Sequence, residues 1–475
     1  MSDQLGHCDA LGQAALVAAG EVSPGELLDE TIRRIERINP TVNAVTMTLF
    51  DQARDAIARG LPEGPFRGVP FLVKDFYCHV AGTATTNGSR LFRDNIIDHD
   101  SELTRRYRQA GFVLAGKTNV PEMVTIGTTE PVLHGPTRNP WASGHSAGGS
   151  SGGAAAAVAA GLVQVAHAND GAGSTRIPAS SCGLFGLKPS RGRITLGPDV
   201  GESMGGITAE HVVSRSVRDS AAVLDATHGA LAGDPYVAPP ADGTFLAALG
   251  RRDRPLRIAV SDEALFAVDV DPACRAAVRE AASLLEALGH QVEWTAPVIN
   301  GEAFRTALTH FWPLTVTRAM AATAAARGVT IDDLASGLEP LNQYLVELGR
   351  QRLAFDYIGD LVTFQGLTRT LGRFLESHDV WLTPTLAFPP PRLGHYDAAT
   401  VGGAEAFRRV IASFAFTAPA NVTGIPAASV PFAVTAEGLP VGIQIAARLG
   451  AEAVLFRLAA EIEEARPWSH LYPQL

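Results

Sequence analysis

Cysteine is scarce in this chain of 475 residues, and the four present, Cys8, Cys78, Cys182 and Cys274, lie far apart with no C-x-x-C pair. That spacing excludes a disulfide framework and a cysteine-built zinc site, and it predicts reduced, mostly buried thiols. No stretch of 18 or more apolar residues runs free of charge, so no transmembrane helix is expected. Basic excess is also missing. With 39 Lys and Arg against 49 Asp and Glu, the net charge of −10 lacks the footprint of a nucleic-acid binder. The opening MSDQLGHCDA has neither a basic nor an apolar leader segment, which makes a soluble cytoplasmic protein the expectation.

What remains is the balance of a globular enzyme, with 46% hydrophobic and 19% charged residues. Ser23-Pro24-Gly25-Glu26 is a capping box with proline in the first turn, and Leu27, Leu28, Ile32 and Ile35 follow at helical spacing. A helix over about 24–38 is predicted, ended by Asn39-Pro40. Short apolar runs then alternate with amphipathic helices: GVPFLVKD, SELTRRYRQAG into FVLAGKTN, AAAAVAAGLV into QVAHAND, and RIAVS, CRAAVREAASLLEALGH and QVEW. This alternation predicts an α/β fold whose large central sheet is mixed, mostly parallel, and covered by helices on both faces. Residues 300–375 are helical in pattern and aromatic, a variable segment suited to a pocket flank or lid.

Residues 144–153, GHSAGGSSGG, contain Gly-x-Ser-x-Gly three times, centred on Ser146, Ser150 and Ser151. An esterase elbow needs a buried strand before its serine, yet PTRNPWAS precedes this one, and His134-Gly135 is followed by Pro136 instead of the glycines of an oxyanion motif. No Gly-Lys-Ser/Thr follows either, so a phosphate-binding P-loop is excluded. A second loop of small residues, HANDGAGSTRIPASS, lies downstream.

Taken with GGSSGG and the lysine of GVPFLVKD, this loop resembles the amidase signature family. The separations match that family: 76 residues from Lys74 to Ser150 and 24 from Ser150 to Ser174. GKTNVPEM, HVVSRSVRDSAAVLD, PANVTGIPAASVPF and GLPVGIQIAARLGAEAVLFRLA extend the likeness over nearly all of residues 1–475, read as one amidase signature domain; only about 230–375 departs freely. The wording VAHANDGAGSTRIPAS is most similar to the subgroup that hydrolyses nylon oligomers.

The resemblance implies a Ser-cisSer-Lys triad: Ser174 as nucleophile, Ser150 as proton relay on a cis peptide bond, Lys74 as base. It also implies an oxyanion hole from the backbone of Gly171, Ala172, Gly173 and Ser174. Ser151 would hold Lys74 in place, and Asp170 and Arg176 would support the loop. Many family members carry Thr-Asp-x-Gly-Gly-Ser where this chain has Asn169-Asp170-Gly171-Ala172-Gly173-Ser174, so the Ala172 methyl bears on substrate shape.

Lys74 can act as a base only when neutral, and burial would lower its pKa in that direction. Thr125 is a candidate for the substrate pocket. Phe304, Phe311, Trp312 and Phe364 read first as core residues, with an apolar pocket as the competing role. His79, His134, His145 and His167 read as surface or core histidines.

The expected activity is hydrolysis of a linear or cyclic carboxamide through an acyl-enzyme, without a cofactor or metal. Aminohexanoate oligomers, anilides and carbamates are the substrates considered. The expected partner is a small-molecule amide, with neither nucleic acid nor membrane, and a homodimer is the assembly considered. Two alternatives stand beside this reading. One is an esterase; the other is the amidase subunit of a tRNA-dependent amidotransferase, a branch that carries SIRQPA where this chain reads STRIPA.

Overall fold

The computed structural model describes residues 8–474. Its framework is an 11-stranded sheet: β1 (Val45–Thr48), β2 (Pro70–Lys74), β3 (Val113–Thr118), β4 (Val165–Asp170), β5 (Phe185–Lys188), β6 (Ala209–Ser214), β7 (Arg257–Val260), β8 (Gln291–Trp294), β9 (Val380–Pro384), β10 (Ala427–Val434) and β11 (Pro440–Ala446). The spatial order is β1-β3-β2-β4-β6-β5-β10-β11-β9-β7-β8.

The sheet is mixed, as the sequence predicts, but parallel pairing does not dominate. Strand β2 runs parallel to β3 and β4, and β7 to β8 and β9. The other six pairings are antiparallel. The cause lies in the connections. Strand β11 follows β10 after a turn at residues 435–439, too short for a helical crossover, so the two form a hairpin. No helix separates β5 from β6 either, and that pair is also antiparallel.

Helices cover both faces, because successive strand residues point to opposite sides. Phe71 and Val73 of β2 enter one apolar cluster and Leu72 the other; Val165 of β4 joins the first, Ala166 and Ala168 the second. The second cluster packs against helix α1 (Pro24–Val42) and the all-buried α2 (Gly152–Ala159), whose alanines let it lie close to the sheet. The first takes in residues of helices α4 (Gly301–Arg327), α5 (Pro340–Arg350) and α6 (Ala354–Ser377). The short helix α3 (Arg176–Cys182) contributes to both clusters and, late in the chain, α7 (Ala418–Thr423) to the first.

The capping box at Ser23 and Glu26 forms in both directions. The expected stop at Asn39-Pro40 does not. Helix α1 continues through Pro40 to Val42 and ends at Asn43, in the left-handed conformation with φ 51°. The Asn39 carbonyl accepts the capping N–H of Asn43, while its side-chain oxygen takes the N–H groups of Ala44 and Val45. Asn39 thus satisfies the exit from the helix that proline alone would leave open.

All four cysteines are free, three of them buried. Among the described residues no helix is long and apolar enough to cross a membrane. The reading of the N-terminus rests partly on residues 1–7, which lie outside the described residues.

Candidate active site

Strands β2 and β4 are parallel neighbours, with Leu72 opposite Ala166, so their carboxyl ends reach the same edge of the sheet. Lys74 is the last residue of β2; Asn169 and Asp170 close β4. At this edge of an open α/β sheet, loops leaving the strands build a site.

Lys74 has no exposed surface. Its Nζ lies 2.8 Å from Ser150 Oγ, 2.8 Å from Ser151 Oγ and 2.5 Å from Asn169 Oδ1. Burial, opposed by the carboxylates of Glu210 and Asp170, brings the ammonium down from 10.5 to about 7. At neutral pH this lysine exists in both protonation states.

The Gly149–Ser150 peptide bond is cis. Gly149 leaves no room for a side chain, since a Cβ there would strike the backbone of Thr128. Ser151 occupies the N-cap position of α2, yet its hydroxyl caps nothing. A serine in that position ordinarily stabilises a helix by about 0.5–2 kcal/mol. Here the side chain is turned to Lys74 instead, and its own O–H faces the Asn169 carbonyl at 3.3 Å. Ser146, centre of the first Gly-x-Ser-x-Gly match, is buried in a short hairpin, where its Oγ meets Thr128 Oγ1 at 2.6 Å and accepts the Gly148 N–H.

The loop after β4 carries Ser174, which is 7% exposed and whose carbonyl accepts the Ser151 N–H at 3.3 Å. The two serine-bearing loops therefore touch through their backbones. Asp170 and Arg176, both without exposed surface, pair at 2.9 and 3.0 Å through Nε and Nη2. Burial alone would push the Asp170 carboxyl up, but the Arg176 guanidinium and the Asn421 amide hold it down at about 2. Arg176 also donates to the Thr417 carbonyl, Gln444 and Asn421, which ties the loop to α7 and β11.

Within this cluster Gly173 gives its N–H to Asp170 Oδ1 at 2.6 Å. The backbone N–H groups of Gly171, Ala172 and Ser174 have no acceptor among the described residues. Gly173 itself has φ 139°, and a Cβ there would collide with Thr417.

A cavity of about 720 Å³ opens beside this loop, lined by Tyr77, Met123, Met204, Phe311, Trp312 and other residues, Thr125 among them. Met204 brings it to the loop: its Sδ lies 3.3 Å from where a Cβ on Gly171 would stand. Thr125 is fixed twice, by its Oγ1 to Asn342 Oδ1 at 2.9 Å and by its carbonyl to Trp312 Nε1 at 2.9 Å. Phe304 and Phe364 are core residues in edge-to-face contact. Phe311 and Trp312 are buried and also line the cavity.

His79, His134 and His145 are half-buried and have no bond to Lys74 or the serines. His167 is a core histidine, as expected, but it pairs with a carboxylate that the sequence left unseen. Its Nε2 lies 2.7 Å from Glu210 Oε2, and its Nδ1 accepts the Lys74 backbone N–H at 3.2 Å. Asn169, Glu210, Thr417 and Asn421 were missed as functional residues. Only Glu210 left a trace, as a charge within the otherwise buried strand AEHVVS.

Comparison with known proteins identifies the family. The amidase sequence family matches residues 26–456. The chain belongs to the amidase signature family. It is accordingly a hydrolase acting on amide bonds. A 6-aminohexanoate-cyclic-dimer hydrolase from Paenarthrobacter ureafaciens is 39% identical, the alignment covering 98% of this chain and 96% of the relative. A solved structure of 6-aminohexanoate cyclic dimer hydrolase complexed with substrate superposes with a TM-score of 0.90 at 36% identity, covering 99% of both chains. A bacterial aryl acylamidase of the amidase signature family gives 0.88 at 27%, covering 97% of this chain and 96% of that one.

Proposed function

We propose that this amidase cleaves a small carboxamide, linear or cyclic, through an acyl-enzyme on Ser174, with Ser150 as proton relay and Lys74 as base. The observation that carries this reading is the fully buried Lys74 Nζ, 2.8 Å from Ser150 Oγ. The hydrogen bonds around Lys74 support one direction for this proton traffic. Asn169 Oδ1 can only accept, and the Ser151 hydroxyl proton is committed to the Asn169 carbonyl. A neutral Lys74 therefore donates its two N–H bonds to Asn169 and Ser151, which leaves its lone pair for the Ser150 O–H.

In the forward step Lys74 takes the Ser150 proton while Ser150 Oγ takes that of Ser174, and the Ser174 oxygen bonds to the amide carbon. The carbonyl oxygen becomes an oxyanion, received by the free N–H groups of Gly171, Ala172 and Ser174. As the C–N bond breaks, Ser150 hands a proton to the leaving nitrogen and is reprotonated by Lys74. Water then repeats the sequence on the acyl-enzyme.

The apolar cavity has the volume of a small-molecule site. Together with the relatives' substrates, it favours 6-aminohexanoate oligomers, followed by anilides and carbamates. Replacing Ser174 with alanine should abolish labelling by a fluorophosphonate, and unchanged labelling would reject the assignment. Lys74→Ala should depress amide turnover more than ester turnover, because the amine leaving group needs the proton. Equal losses would count against a route through Ser150. A panel of oligomers, anilides, carbamates and esters ranked by kcat/KM identifies the substrate.

A further inference from the structure

Behind Lys74 lies a second layer of buried polar groups for which the triad chemistry has no use. Asn169 and Glu210 sit directly opposite each other on the antiparallel strands β4 and β6. His167, two residues before Asn169, shares their face of the sheet. Glu210 divides its carboxylate between them: Oε2 accepts from His167 Nε2 at 2.7 Å and Oε1 from Asn169 Nδ2 at 3.3 Å. Because His167 Nδ1 accepts the Lys74 backbone N–H, the ring proton that meets Glu210 is the one on Nε2.

This arrangement decides which end of the Asn169 amide meets Lys74. With Nδ2 held by Glu210, the oxygen must face the lysine. Reversed, the NH₂ would face the Lys74 lone pair and compete with Ser150 for it. We infer that Asn169 and Glu210 are positioning residues that aim the Lys74 lone pair at Ser150, and that the Glu210 charge sets the pH at which Lys74 becomes a base. The inference rests on the triad reading above and assigns it two further residues.

The charged and titratable groups around Lys74 are few. Glu210 faces it from β6, and Asp170 and His167 from β4, with Cys78 beside His167. Asp75, next in the chain, is turned away to Thr86 and to Lys117 at 3.5 Å. Asp170 is paired with Arg176 and Glu210 with His167, and of the two carboxylates Glu210 does more to hold the Lys74 charge up.

The test is the pH profile of kcat/KM for one amide in the wild type, Asn169→Asp and Glu210→Gln. The wild type should show an acid limb near pH 7. Asn169→Asp puts a carboxylate against Nζ and should move the limb up by about 1–3 units, with activity recovered at high pH. Glu210→Gln removes a charge and should move the limb down, while its amide competes for the Asn169 contact and lowers the plateau about tenfold.

A purely structural role would lower the whole profile without moving the limb, and a limb that stays in place in both variants overturns the inference. Should Asn169→Asp fail to fold, the direction of the Glu210→Gln limb decides alone. A wild type lacking any limb near pH 7 would instead overturn the triad reading.

Discussion

Burying Lys74 has a thermodynamic consequence that can be measured apart from catalysis. In the unfolded chain the lysine titrates near 10.4, and in the fold near 7. Between these values the unfolded state binds more protons than the native state, so stability contributed by this group rises with pH. Proton linkage then opposes folding by about 4 kcal/mol at pH 7 and by about 2 kcal/mol at pH 9. Lys74→Met removes the titration and substitutes an apolar chain of similar length. It also leaves Asn169 Oδ1 without its donor, at about 1–3 kcal/mol that does not vary with pH. The absolute stability of the variant mixes these two effects, whereas the pH dependence isolates the first. Urea unfolding of both proteins at pH 7, 8 and 9 should show the wild type gaining about 2 kcal/mol on Lys74→Met across that range. Parallel dependences would mean that Lys74 titrates as an ordinary lysine, and a gain by the variant that the fold raises its pKa; in either case it is no base at neutral pH.

Three further outcomes follow from the same contacts. Asp170→Asn leaves the fully buried Arg176 without its counter-charge; it should cost about 3–5 kcal/mol in denaturant unfolding. Gly149→Ala puts a methyl into the Thr128 backbone and should abolish fluorophosphonate labelling, while Gly359→Ala, with open space around it, should leave labelling intact. Trp312→Phe removes the hydrogen bond to the Thr125 carbonyl. It should raise KM for bulky amides about two- to tenfold, with labelling by a small fluorophosphonate unchanged.

The residues of the site became legible in the sequence by unequal routes. Lys74, Ser150 and Ser174 were recognisable because they sit in short local motifs at fixed separations, and the structure puts the first two in contact. Asn169 and Glu210 depend on the register between β4 and β6, and Arg176 finds Thr417, Asn421 and Gln444 more than 240 residues along the chain. Composition and periodicity carry no trace of such pairings. The direction of the strands was misjudged for a related reason. Alternating helix and strand signals describe the β2–β4 and β7–β9 regions well. They do not reveal that β5–β6 and β10–β11 are joined without a helix, which lets those neighbours run antiparallel. At the end of α1 the local signals compete: Pro40 reads as the stop, while the signal that acts is a left-handed asparagine three residues later.

The triple Gly-x-Ser-x-Gly pattern misleads because glycine here answers to crowding from outside the motif. Gly149 is small because the Thr128 backbone passes over it, and Gly173 because Thr417 does. The two loops meet where the Ser174 carbonyl accepts the Ser151 N–H. Within the second loop Asp170 holds the Gly173 N–H, and on the oxyanion reading proposed above three donors stay free. On that reading their number depends on a salt bridge whose far contacts lie in α7 and β11, a dependence that ties the chemistry of a few loop residues to the assembly of the whole sheet.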